Sequence, residues 1–110
     1  MAASPPAPPR VLLLTYTYVS DIMEKRTPHR PGHLAAAQRE VDAGRLLMAG
    51  AFADEPFGGA FVWTPRATRE DVEKFVATDP YVLAGLVTAH RVADWMLPVL
   101  SPAAADALSK

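Results

Sequence analysis

Three histidines, two nearby tyrosines and one aspartate-proline step carry most of the chemistry this chain can offer. His29 and His33 stand four residues apart, a spacing that would put two imidazoles on one helix face as metal ligands. Pro31 lies between them, and a helix can begin around it but not run through it, so that face is not expected to form. His90 has no partner at ligand spacing, and no metal is expected. Tyr16 and Tyr18 share one face if they lie on a strand, where a phenol could donate a hydrogen bond to a substrate oxygen. Such a pair also serves as core or as dimer interface. Arg30 precedes His33 by three residues, so one helix could aim both at the same space, with the guanidinium gripping a carboxylate or phenolate. Its other use is to pair with Glu24 or Asp21 and tie down a loop. Asp79 stands before Pro80, where a carboxylate commonly accepts from local backbone N–H groups, and His33 taken alone reads as a half-buried histidine satisfied by backbone. Phe61, Trp63, Tyr81 and Trp95 could line an aromatic pocket or simply pack.

Several chemistries are excluded by what the chain lacks. There is no cysteine among the 110 residues, which removes disulfides, thiolate metal sites and a thiol nucleophile. Gly58 and Gly59 are followed by neither a helix start nor a lysine, so they make no phosphate cradle. Ser4 and Ser20 lie outside any nucleophile-elbow pattern. Eleven Lys and Arg against twelve Asp and Glu give a formal net charge of −1, without the basic footprint of a nucleic-acid or anionic-membrane binder. The aliphatic run from Val11 to Leu14 is far below the roughly 20 residues of a membrane span. No basic residue precedes Arg10, so a secretory signal is not expected and the cytoplasm is the default location. The partner left by this elimination is a small molecule.

The elements that must position these side chains follow from periodicity. Half of the residues are hydrophobic, enough for one domain with one core. Residues 1–9 read as a disordered Pro/Ala-rich tail, 10–100 as the domain and 101–110 as an irregular Ala-rich C-terminal tail. Arg10 to Tyr18, aliphatic and then β-branched and aromatic, predicts a strand. Ser20 to Arg30 predicts a loop with at most a short helical turn, because Pro28 and Pro31 interrupt it. A helix follows from Pro31, with Leu34, Ala37 and Val41 at helical spacing and Gly44 as its left-handed stop. Leu46 to Ala49 and Ala60 to Thr64 predict an antiparallel hairpin. Thr68 with Asp71 predicts a capping box for a helix carrying Val72, Phe75 and Val76 and ending before Pro80. A further helical turn over Tyr81 to Gly85 and a last strand within Thr88 to Val99 complete the chain.

The order β-α-β-β-α-β predicts an α+β ferredoxin-like sandwich, a four-stranded antiparallel sheet with two helices on one face. On a period of two, Val11, Leu13, Leu47, Phe61 and Trp63 cannot all point beneath the helices, so the other face must carry apolar side chains. A symmetric homodimer would cover them.

The motifs Glu24-Lys25-Arg26, Arg30-Pro31-Gly32-His33-Leu34, Gly44-Arg45-Leu46-Leu47, Ala49-Gly50 and Asp79-Pro80-Tyr81-Val82 with Ala84-Gly85 give the chain a specific resemblance. Over residues 11 to 99 it resembles the YCII-related family. The resemblance implies a ferredoxin-like fold assembled as a dimeric αβ barrel, with a histidine and an aspartate in a shared pocket as the catalytic pair, here His33 and Asp79. One branch of the family is a dehydrochlorinase acting on a chlorinated hydroxyhydroquinone, which implies that the scaffold supports acid–base elimination without metal or organic cofactor. Ala51 and Phe52 depart from the Gly-Pro that relatives often carry, and the following connection, residues 53–58, is this chain's own.

With the pair so assigned, His33 would accept or deliver a proton while Asp79 orients the imidazole. Arg30, Tyr16 and Tyr81 would hold the substrate. The expected function is that of a small cofactor-free lyase or isomerase acting on a phenolic or carbonyl compound. The competing expectation is a non-catalytic dimer that binds a small ligand or serves as an accessory protein.

Overall fold

The structure is a computed structural model and describes residues 8–109. Residues 1–7 of the expected N-terminal tail lie outside the described residues. In chain order the elements are β1 (Arg10–Tyr18), α1 (Ile22–Lys25), α2 (Arg30–Asp42), β2 (Leu46–Ala51), β3 (Gly58–Trp63), α3 (Arg69–Thr78), α4 (Pro80–Leu83), β4 (Val87–Met96) and α5 (Pro102–Leu108). The four strands form one antiparallel sheet in the order β2-β3-β1-β4. The chain is thus α+β, with its first strand in the interior of the sheet.

Strand alternation decides the two faces. Leu12, Leu14 and Tyr16 of β1 and Phe61 and Trp63 of β3 point to one side, where they are buried with Ala36 of α2 and Val72, Phe75 and Val76 of α3. Each large side chain so buried stabilises the fold by about 1.5–3 kcal/mol. The other side carries Val11 and Leu13, with Val62 paired to Leu13, Met48 paired to Val62, and Trp95 paired to Val11. Met48 is 59% and Trp95 42% exposed, so the apolar character expected of this face is present. A register shift between Leu46 and Met48 lets Leu46 join the core.

The helix ends follow local chemistry. Thr68 accepts from the Asp71 amide and the Asp71 carboxylate accepts from the Thr68 amide, closing the capping box at the start of α3. That reciprocal bonding holds the Asp71 carboxyl below its ordinary range. Gly44 has φ of 78°, the left-handed conformation in which a glycine ends a helix without strain. Between Ser20 and Arg30 the chain makes the single helical turn of α1 and then a turn, closed by the Arg30 amide on the Arg26 carbonyl, that leads into α2. At the other end, the stretch expected to be irregular is a helix. Ser101 accepts from the Ala104 amide, Pro102 occupies the first turn, and the alanines propagate α5.

Among the described residues, no helix is long and apolar enough to cross a membrane.

Candidate active site

The site is built where α2, α4 and β1 meet. Asp79 follows α3 in an extended conformation, φ −66° and ψ 124°, because the ring of Pro80 disfavours a helical residue before it. The same residue caps α4, its Oδ1 accepting from the Tyr81 amide at 3.0 Å. His33 sits in the first turn of α2, whose start is set by Arg30 and Pro31. Side chains on a helix lean back toward its N-terminus, and that lean carries the His33 imidazole to the beginning of α4.

There Nδ1 of His33 lies 2.8 Å from Oδ1 of Asp79. Oδ2 accepts from the Tyr16 hydroxyl at 2.8 Å. Asp79 is 0%, Tyr16 2% and His33 7% exposed, so the cluster is almost fully out of water. A carboxylate isolated in that way would be costly, and three convergent donors offset the cost. Because an ionised carboxylate only accepts, its contact with His33 assigns the ring proton to Nδ1. In the neutral ring Nε2 is then the nitrogen with a free lone pair, and among the described residues it has no hydrogen-bond partner.

The imidazole is fixed on its faces as well as at its edge. The Tyr81 ring stacks on it at 3.9 Å and 6° between planes, and Phe61 meets it edge-on at 6.0 Å. Tyr16 in turn packs edge-on against Phe61 and Tyr18. Burial is the main reason that the Tyr16 and Tyr18 hydroxyls hold their protons well above the ordinary phenol range. For Tyr16 the Asp79 charge and hydrogen bond add to the effect. Burial also raises Tyr81, while the guanidiniums of Arg26 and Arg30 pull it the other way.

His33 and Tyr81 open onto a cavity of about 430 Å³, whose wall also includes Tyr18, Arg26, Arg30 and Leu34. That volume is in the range of small-molecule sites. Of the residues singled out from sequence, His33, Arg30, Tyr81, Tyr18 and Phe61 line the cavity, whereas Trp63 and Trp95 do not. Asp79 and Tyr16 stand behind the imidazole, with the Tyr16 hydroxyl committed to Asp79. Neither Asp21 nor Glu24 forms an ion pair with Arg30; Asp21 is paired with Lys25 at 3.1 Å. Arg26, which the sequence offers only within the Glu24-Lys25-Arg26 motif, also lines the cavity, four residues before Arg30. No three His, Asp or Glu side chains converge as a metal-ligand set among the described residues.

A buried carboxylate bonded to an imidazole, beside a small cavity and under helices packed on an antiparallel sheet, defines the class as α+β. Residues 10–96 match the YCII-related domain, and the chain belongs to that family. It is similar to Protein YciI of Escherichia coli O6:H1 (strain CFT073), with 37% identity over 75 residues, covering 61% of this chain and 76% of that protein. Protein YciI of Shigella flexneri is similar to the same extent, 37% over 75 residues. Its fold is similar to that of the 5-chloro-2-hydroxyhydroquinone dehydrochlorinase (TftG) from Burkholderia phenoliruptrix AC1100 in complex with 2,5-dihydroxybenzoquinone. The TM-score is 0.62 and the identity 22%, over 77% of this chain and 92% of that one.

Proposed function

We propose that the protein is a small enzyme that moves a proton on a phenolic or carbonyl compound, with Nε2 of His33 as the acid or base. The observation that carries this reading is the bond between His33 Nδ1 and the buried Asp79 carboxylate, 2.8 Å long. It presents the other ring nitrogen at the cavity as an acceptor. A phenol O–H, or a C–H beside a carbonyl, would give its proton to Nε2. The electron pair left on the substrate would then expel a leaving group from the neighbouring carbon, or take up a proton at another atom. The first outcome is lyase chemistry and the second is isomerisation. Asp79 holds the tautomer and stabilises the imidazolium formed in passing, and Tyr16 holds Asp79. In this reading Tyr16 is a positioning residue, while Tyr81 and Arg30 touch substrate. None of these steps calls on a metal or organic cofactor.

The similar fold of a dehydrochlorinase with a bound dihydroxybenzoquinone supports the choice of substrate class. The strand order β2-β3-β1-β4 supports a ferredoxin-like arrangement, and the exposed Met48 and Trp95 support a homodimer closed through the open face into an αβ barrel. The formal net charge of −1, without a basic footprint, supports a small-molecule partner with no role for nucleic acid.

The test is a screen of chlorinated hydroquinones and small keto acids in D2O, followed by proton NMR for exchange or loss of signal and by chloride release. Turnover is expected in the wild type and should fall about 10²–10⁴-fold in His33→Gln. Tight binding without turnover of any compound would favour the ligand-binding reading instead.

A further inference from the structure

The cavity has a charge bias that proton transfer by His33 does not use. Arg26 and Arg30 both line it and no acidic residue does, in a chain whose formal net charge is −1. Among the described residues neither arginine forms an ion pair, and Asp21 is taken by Lys25. The Arg30 amide donates to the Arg26 carbonyl at 2.8 Å, so the two side chains rise from successive turns. Two like charges on neighbouring turns repel. An anion between them would remove the repulsion. Both share the cavity wall with Tyr81, the ring stacked on His33.

We propose that Arg26 and Arg30 form a carboxylate subsite, so that the substrate is a small phenolic or carbonyl acid carrying a carboxylate beside the group on which His33 acts. This rests on the reading of the cavity as the substrate site. Guanidinium forks match the two oxygens of a carboxylate. A phosphate needs more donors and loses more hydration, and beyond the two arginines the wall offers few, since Leu34, Val41, Leu46 and Phe61 make much of it apolar. The substrate thus has one end fixed by charge and the other set against Nε2, which is the positioning an acid–base step requires.

The test is calorimetric titration of the full chain with 4-hydroxybenzoate, phenol and inorganic phosphate, in wild type and in Arg26→Gln, Arg30→Gln, Arg30→Lys and His33→Gln. The wild type should prefer 4-hydroxybenzoate to phenol by tenfold or more. That preference should drop about tenfold in each Gln variant, fall partway in Arg30→Lys, and persist in His33→Gln. Native-like near-ultraviolet spectra of the variants establish that the change is not misfolding. Equal affinity for 4-hydroxybenzoate and phenol, or a preference indifferent to both arginines, would overturn the subsite. Phosphate binding as tightly, with the same dependence on Arg26 and Arg30, would overturn its assignment to a carboxylate. The two readings fail separately. A preference that depends on the arginines, with no turnover of any compound, rejects the acid–base reading and keeps the subsite; turnover of phenols with no such preference does the reverse.

Discussion

His33 and Asp79 are 46 residues apart in the chain, and Nδ1 of one lies 2.8 Å from Oδ1 of the other. The contact joins the first turn of α2 to the junction of α3 and α4. Asp79 could make a local cap or a long-range partner for histidine; it does both, since the same Oδ1 accepts from the Tyr81 amide. Capping by Asp79 therefore fixes the carboxylate that fixes the imidazole. It also anchors α4, which carries the stacked Tyr81 ring.

Asp79→Asn tests this arrangement most directly. An amide keeps the shape but supplies two donors where the carboxylate supplied only acceptance. If its NH2 group turns to His33, the proton moves from Nδ1 to Nε2 and the free base is lost. The 15N spectrum of the His33 ring should change tautomer, turnover should fall, and the unfolding midpoint in urea should drop by the equivalent of about 1.5–3 kcal/mol. An unchanged ring spectrum would remove Asp79 from the role of orienting group.

Tyr16→Phe removes the donor to Oδ2 without changing the packing against Phe61 and Tyr18. It should cost about 1–3 kcal/mol of stability, because a buried acceptor loses its partner. Its effect on turnover should shrink sharply when Asp79 is already Asn, since Tyr16 acts through that carboxylate. A double-mutant cycle on both stability and rate gives the coupling, expected at about 0.5–3 kcal/mol. Strict additivity would mean that Tyr16 acts independently of Asp79.

How much of this was legible in the sequence depends on the range of the interaction. The strand Arg10–Tyr18, the capping box at Thr68 and the stop at Gly44 are local and were readable from residue types alone. Helix α5 was also local, and its Ser101-Pro102 start was legible, but the low complexity of the alanines concealed it. The hydroxyl of Tyr16 was expected at a substrate, because nothing near it in sequence announces a partner 63 residues away. The place of Arg26 is hidden for the opposite reason, a local one. Pro28 broke the apparent helix, yet the Arg30 amide still reaches the Arg26 carbonyl and keeps the two side chains on neighbouring turns. The stack of Tyr81 on His33 depends on how α2 and α4 meet, which no periodicity encodes.

The tyrosines make a prediction for alkaline pH. The chain has three, Tyr16, Tyr18 and Tyr81, and all hold their protons above the ordinary phenol value of 10.0. In the unfolded chain they ionise near that value, so above it the unfolded state binds fewer protons than the folded state and stability falls as pH rises. Below about pH 9 these groups contribute no slope. Absorbance at 295 nm should therefore show less than half of the tyrosine ionised at pH 10 in native protein, with the remainder appearing together with unfolding. Three free-phenol titrations in folded protein would contradict the burial that encloses the site.

Gly32→Ala probes the distance between the two halves of the site. Gly32 stands next to His33 in the first turn of α2, and a Cβ placed there would lie 3.2 Å from Cγ of Pro80, the residue after Asp79. Alanine favours the helix by up to about 1 kcal/mol over glycine. The rigid Pro80 ring cannot swing aside, so the methyl must move α4 away from α2 by a few tenths of an ångström. The two effects oppose each other in stability, and the net change in the urea midpoint should stay within about 1 kcal/mol. The hydrogen bond between His33 and Asp79 has no such compensation, because it spans the gap being widened. Turnover should fall by more than the stability change implies, and the His33 ring resonances should shift. If rate and ring signals both match the wild type, the α2–α4 contact does not set the geometry of the pair.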